Sequence, residues 1–289
     1  MSRHIPIAQI ARALCPSTDL VKALAMVEAT EELRAYFDDS GTHGESLITT
    51  ISGFVAPTKV WENAERDWRV ALADYKDRYG VTWYHATDVY NWDGEWRAAP
   101  LDVCRAAPMQ FAAILAKQNV LPVWSAVVNE DFYKYATPEF LDLFPAPFDL
   151  CFHEAMGQLY RWGRQELNAP LVVPLVAHGD YAERIRAAHA RYRNDGDFSQ
   201  YIGPIAFDSP RCIIPLQTAD LLAYEFYHWW KDTEYPRDPR SYIDRPVLHK
   251  AIERNHSVQL GGCYSGDGMH LAVTRHTERW HRRKGVREG

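Results

Sequence analysis

The sequence is short of cysteine, of long apolar runs and of positive charge. Its five cysteines, Cys15, Cys104, Cys151, Cys212 and Cys263, lie far apart, are odd in number and include no C-x-x-C pair. That pattern argues against a disulfide framework and against a structural zinc ribbon. No apolar run approaches the roughly 18 residues that a membrane-spanning helix needs, and the stretch MSRHIPIAQIARALCPSTDL lacks the apolar h-region of a signal peptide. A cytoplasmic protein without a membrane partner is the expectation. Lys and Arg number 32 against 38 Asp and Glu, a formal charge of −6. This balance disfavours a strongly basic, non-specific nucleic-acid binder. It leaves room for a metal-dependent enzyme, because clustered carboxylates lower the formal charge and bound cations restore it. Internal repeats and low-complexity linkers are also missing.

What is present is ordinary globular material: 47% hydrophobic and 24% charged residues, enough for a packed core. At 289 residues the chain falls between one large domain and two small ones. Ten Trp and 16 Tyr suit a core, a partner interface or a base-stacking surface, and decide nothing alone.

Apolar spacing predicts two short amphipathic helices over 1–30, either capping the core or mediating homo-oligomer formation. Leu33–Phe37 and Leu47–Val55 are β-rich and flank SGTHG, a hairpin signal with Gly41 or Gly44 in the turn. Helices are expected over 58–79, about 101–118, 148–167 and 181–193, with an aromatic loop over 81–97. Strands are expected over 121–128, 171–177 and 201–207. IPLQTADLLAYEFYHWWKD is the clearest helix. Alternation of strand and helix from 101 to 231 favours parallel strands covered by helices. The reading divides the chain into an N-terminal helical extension (1–30), an α/β domain (31–232) and a mixed C-terminal extension (233–289).

The chemistry lies in the acids. Asp38 and Asp39 end the first strand, and alternation sends their carboxylates to opposite faces. Asp-Ser-Gly is also common turn chemistry. Asp180 follows the apolar strand LVVPLVA, beyond whose carboxyl end a ligand would bind in a parallel sheet; it also suits an N-cap, with Glu183 completing a box. Gln217, Asp220 and Tyr224 share one face of the last clear helix. A carboxylate in so apolar a helix is expensive to bury unless it is paired, capped or metal-bound. Asp208, in FDSPR, reads as a turn residue. Acids drawn from separate elements are what Mg2+ or Mn2+ requires, and two such ions suit phosphodiester hydrolysis.

AYFDDSG, PLVAHGDYAER and FDSPRCIIPLQTADLLAY together resemble domain-of-unknown-function family 3800, over about residues 33 to 230. That resemblance implies an α/β ribonuclease H-like fold with a mixed sheet, the superfamily of retroviral integrases and Holliday-junction resolvases. It implies Asp38, Asp180 and Asp220 as metal ligands, with Gln217 orienting Asp220 or a water. Asp39 stands where the family usually has Glu, and Tyr181 where Glu is common. His85, in WYHATDV, resembles a histidine found after the family's first helix, although a loop histidine bonded to backbone fits equally. The implied activity is a metal-dependent phosphodiesterase acting on DNA or RNA. Arg184, Arg186, Arg191 and Arg193 are candidates to meet phosphates, though such a helix face is usually just solvated. Two rivals stand beside it: an inactive binding or regulatory module on the same scaffold, and a hydrolase of a small phosphorylated molecule. The nuclease reading requires Asp38 and Asp220 to approach across 182 positions (220 − 38).

Overall fold

In the computed structural model, which describes residues 32–166, 172–177, 179, 181–193, 203–235, 245–252 and 260–284, Leu33–Ser40 (β1) and Ile48–Pro57 (β2) pair antiparallel as the expected hairpin. Gly41 follows β1 at φ +72°, in the left-handed region that glycine enters without steric cost. The expected helices over 1–30 lie outside the described residues.

Thr58–Tyr79 (α1) follows β2 directly. It buries Trp61, Ala64, Trp68, Ala71, Leu72 and Tyr75, the spacing of one helical stripe. Each large side chain so buried contributes roughly 1.5–3 kcal/mol. The helix ends on Gly80 at φ +77°, whose N–H donates to the Lys76 carbonyl, a left-handed cap. The aromatic segment read as a loop holds a short helix, Ala86–Asn91 (α2), and a 3-10 turn, Gly94–Ala98. Buried Trp96 fastens that turn, its indole N–H reaching the Trp83 carbonyl.

Leu101–Lys117 (α3) and Leu121–Val128 (β3) occupy their expected places. Two short helices then fall in a stretch for which the sequence reading assigned no element: Asn129–Tyr135 (α4) and Pro138–Leu143 (α5). Thr137 caps α5 by accepting from the Phe140 N–H, and Pro138 sits in its first turn, where its missing N–H is no loss. Pro147–Glu166 (α6), Val172–Ala177 (β4), Ala182–Arg193 (α7), Ala206–Asp208 (β5) and Ile214–Glu234 (α8) follow. Of the strand expected over 201–207, residues 206 and 207 fall in β5, while 203–205 lie outside any strand, Pro204 having no N–H to give a ladder. Residues 201 and 202 lie outside the described residues. Pro246–Ile252 (α9), Leu260–Tyr264 (β6) and Gly266–Lys284 (α10) complete the described chain.

The fold is α/β, with a six-stranded mixed sheet in the order β5-β4-β1-β2-β3-β6. β1, β2 and β3 run antiparallel in sequence, while β4 joins β1, β5 joins β4 and β6 joins β3 in parallel. The parallel pairings favoured by the alternation from 101 onward lie on the two flanks of the antiparallel β1-β2-β3 centre. Within the residues read as a C-terminal extension, β6 extends the same sheet from the β3 edge.

β2 and β3 are buried at every position, as central strands covered on both faces must be. One face carries Tyr36, Phe54 and Trp124 against Trp61, Trp68, Phe111, Leu221 and Phe226. The other carries Phe37, Ile51, Val55 and Val123 against Phe132, Phe152, Met156 and Leu159. Helices α1, α3 and α8 thus cover one side of the sheet, and α6 with α10 the other.

Candidate active site

Strand alternation separates the two adjacent aspartates. Asp38 follows the parity of Tyr36 and stands opposite Ser52 in register, on the face covered by α8. Asp39 follows Phe37 to the other face. There its Oδ2 accepts from the Thr42 hydroxyl at 2.8 Å, and its charge helps to raise the Cys151 thiol on α6.

Helix α8 crosses the end of the hairpin. Thr50 Oγ1 donates to the Ala223 carbonyl at 3.5 Å, and a Cβ on Gly41 would meet the Tyr227 ring. This crossing brings Asp220 to Asp38. Burial pushes the Asp38 carboxyl well above its usual range, and the negative charges of Asp220 and Asp39 push it further; only the Asp39 N–H, 2.9 Å from Oδ1, pulls it back. Burial likewise lifts Asp220 to about 6. The charge of His85 and the Ala86 N–H oppose that rise, and Asp88 and Asp39 add to it. Two like charges gathered in a desolvated place titrate as a pair: once one carboxyl ionises, the second gives up its proton less readily. Asp220 is 9% exposed, whereas Asp38 keeps a partly open face, so an ion could reach the pair from that side.

Each carboxylate is oriented by one backbone N–H. Asp38 Oδ1 accepts from Asp39, and Asp220 Oδ2 accepts from Ala86 at 2.7 Å. Among the described residues Asp38 Oδ2 and Asp220 Oδ1 take no hydrogen bond, which suits a hard cation, since such an ion prefers oxygen ligands. Two further polar atoms fit the same purpose. Ser52 Oγ, cross-strand from Asp38, and the hydroxyl of Tyr84, whose ionisation is opposed by the charge of Asp220, are both buried with no hydrogen-bond partner among the described residues. Such atoms are rare in a settled core and invite a water or an ion. The residues present therefore suit an oxygen-ligated metal.

Gln217 behaves differently from its expected role. Its Oε1 accepts from Trp68 Nε1 and from the Tyr84 N–H, each at 3.0 Å, and its Nε2 donates to the Pro210 carbonyl at 2.8 Å. The carboxamide clamps three segments together and makes no hydrogen bond to Asp220, because α8 lies flush against α1 and the 83–86 loop at that turn. Gln217 and Asp220 together fasten the Tyr84–Ala86 backbone to the helix. That loop presents His85 beside Asp220. Its Nδ1 lies 3.0 Å from Asp88 Oδ1, out of line for a hydrogen bond but close enough for attraction. The imidazole stacks on Trp83 with ring centroids 4.9 Å apart and planes 8° from parallel, and the Arg211 guanidinium lies over the Trp83 ring at 4.5 Å from its centroid. Tyr90 stacks on Tyr224 of α8 at 4.5 Å, and its hydroxyl donates to buried Glu225.

Asp180 lies outside the described residues. Asp208 is a turn residue, accepting from the Ser209 N–H at 2.7 Å. Three of the four arginines of the basic helix α7 have partners within the chain. Arg184 pairs with buried Asp149, Arg186 with Glu183 while covering Phe207, and Arg191 Nη1 reaches the Leu143 carbonyl. Ser52 and Tyr84 escaped the sequence reading, since a serine in a strand and a tyrosine in an aromatic run carry no pattern of their own.

A second cluster sits on the opposite face of the sheet. His153 and Glu154 of α6 and His276 of α10 offer one ligand atom each, all within 4.8 Å of one another. Asp38, Asp220 and Gln217 do not belong to it. Among the described residues no helix is long and apolar enough to cross a membrane. Comparison with family models, with curated proteins and with solved structures returns no match for this chain.

Proposed function

We propose that this protein is a metal-dependent phosphodiesterase of ribonuclease H-like fold that hydrolyses nucleic acid at the Asp38–Asp220 pair. The observation that carries the reading is the pair itself. Two carboxylates from a strand end and a distant helix share a desolvated place, and the charges that raise Asp38 are all negative. Such a pair opposes folding unless a proton or a cation neutralises it. The mixed sheet opening on an antiparallel hairpin supports the ribonuclease H-like part.

Asp38 and Asp220 would hold Mg2+ or Mn2+, with Asp180 the third ligand by its order in the sequence. When bound, such an ion supplies Lewis acidity, lowering the pKa of a bound water and stabilising charge on the leaving oxygen. The chain's own residues do the rest. The Asp39 and Ala86 N–H groups fix the two carboxylates, Gln217 holds the loop that carries Ala86, and His85 stands where it can take up or deliver a proton. The Trp83–His85 stack beside the acids offers a π-face for a base, a sequence-tolerant contact.

The test compares wild type with Asp220→Asn, reading thermal melts with and without millimolar Mn2+ and cleavage of single- and double-stranded DNA and RNA oligonucleotides. Wild type should gain stability with Mn2+ and cut at least one substrate; the variant should do neither. A wild-type melt indifferent to Mn2+ would sink the metal site and leave the binding module as the better reading.

A further inference from the structure

We propose that His153, Glu154 and His276 form a second metal site, which takes a zinc-class ion and pins the last helix to the far face of the sheet. The donor set differs in kind from the aspartate pair. Two imidazole nitrogens and one carboxylate oxygen within 4.8 Å of one another suit a borderline transition metal, with a fourth position for water, whereas an all-oxygen site suits Mg2+ or Mn2+.

The surroundings support the ligands. Tyr264, at the end of β6, donates to Glu154 Oε2 at 2.6 Å and so orients the carboxylate, leaving Oε1 toward His276 Nε2 at 2.8 Å. A partner of that kind is what a metal-binding carboxylate normally has. Phe144 packs against both imidazoles, its ring centroid 5.0 Å from each, and Phe140 adds a further wall against His276. Glu154 and His276 are both nearly fully buried.

The plain alternative is a hydrogen-bonded triad in which Tyr264 and His276 satisfy Glu154. That network uses Glu154 and His276 of the cluster, whereas a bound ion would use all three residues, His153 standing with its ring centroid 5.2 Å from that of His276. Arg275 Nη2, 3.7 Å from Glu154 Oε1, would oppose a cation, yet its side chain is 51% exposed and can swing out. A surface pocket of about 400 Å3, lined in part by Tyr264, Leu271, Ala272, Arg275 and Glu278, lies beside the cluster, and two of these residues, Tyr264 and Arg275, approach Glu154. Because α6 and α10 are brought together across 122 positions, an ion here would fasten the end of the fold to its middle.

The experiment is competition for Zn2+ against a chromophoric chelator, using the full chain, with His153→Gln, His276→Gln and Asp220→Asn as variants. Wild type and Asp220→Asn should hold one Zn2+ per chain with equal affinity. Each histidine variant should bind more weakly by more than about 10-fold. His153→Gln leaves the Tyr264–Glu154–His276 bonds in place, so it decides the matter should His276→Gln fail to fold. Wild type that takes up no Zn2+, or His153→Gln that binds as tightly as wild type, overturns the proposal. Loss of Zn2+ in Asp220→Asn alone would put the ion at the aspartate pair and overturn it equally.

Discussion

The backbone N–H of Ala86 donates to Asp220 Oδ2 at 2.7 Å across 134 positions. This bond ties the loop that carries His85 to the helix that carries the acid, and it also holds the carboxylate in one orientation. Replacing Asp220 by Asn keeps an acceptor for that N–H while removing a charge from a crowded place. Stability of the metal-free protein should then rise by about 0.5–2 kcal/mol, as when a strained functional site is relaxed. Cleavage should fall by a factor on the order of 10² or more. Denaturant titration and oligonucleotide assays measure the two effects.

The same pair dictates a pH dependence. Folded Asp220 titrates at about 6 against an ordinary value of 3.8, and Asp38 is raised as well. Between those values the folded state binds more protons than the unfolded state. Asp220's contribution to stability is therefore full below about pH 3.8 and is lost as pH rises through about 6, and raised Asp38 acts in the same sense. The advantage of Asp220→Asn over wild type should accordingly be large at pH 7 and shrink toward pH 4. Melts of both proteins across this range, in chelator, provide the check. An advantage that grows on acidification would contradict the shared-charge account.

The Glu154 cluster should act in the opposite sense. Burial raises the Glu154 carboxyl, but hydrogen bonds from His276 and Tyr264 and the charges of His153 and His276 outweigh it and hold the group at about 2; burial depresses His153 to about 3. Stability from these groups is present at neutral pH. It is lost as pH falls, through 6.5 toward 3 for the histidine and through 4.5 toward 2 for the glutamate. His153→Gln should flatten the acid limb of the stability profile below pH 6.5, which melts in chelator would reveal.

Asp38→Asn and Asp39→Asn should part company. Asp38 faces α8 and Asp220; Asp39 faces the other side of the sheet and binds Thr42. Loss of the Asp38 charge should abolish Mn2+ stabilisation and cleavage, whereas Asp39→Asn should retain both to within about 10-fold. Equal losses in the two variants would mean that both carboxylates reach the ion.

Gln217→Ala is expected to be severe for a structural reason. It strands two buried donors, Trp68 Nε1 and the Tyr84 N–H, at roughly 2–4 kcal/mol together. Gln217→Glu keeps an acceptor for both donors but sets a buried carboxyl oxygen against the Pro210 carbonyl, so it should recover part of that loss only at low pH, where the carboxyl is protonated and can donate. Chemical denaturation separates the two variants, and Mn2+ binding by the folded fraction should survive in both.

Much of the framework was legible in the chain because it rests on local rules. The hairpin follows from two β-rich runs around Gly41, α1 from the stripe beginning at Trp61 and Ala64, and α8 from an apolar helix opened by Pro215. The separation of Asp38 from Asp39 follows from the period of a strand alone. The cost of burying Asp220 follows from the apolar company it keeps on its helix. What the sequence could not determine is everything that depends on a second segment. α2, α4 and α5 owe their existence to packing and caps too short for periodicity to reveal, and β6 became part of the sheet only by pairing with β3. Gln217 meets Trp68, Tyr84 and Pro210 instead of Asp220 because of how α8 lies on α1, and no spacing encodes that. The His153–Glu154–His276 cluster joins residues from α6 and α10 that share no motif. Periodicity is a property of neighbours in sequence, but a site is a property of neighbours in space, and only tertiary packing decides those.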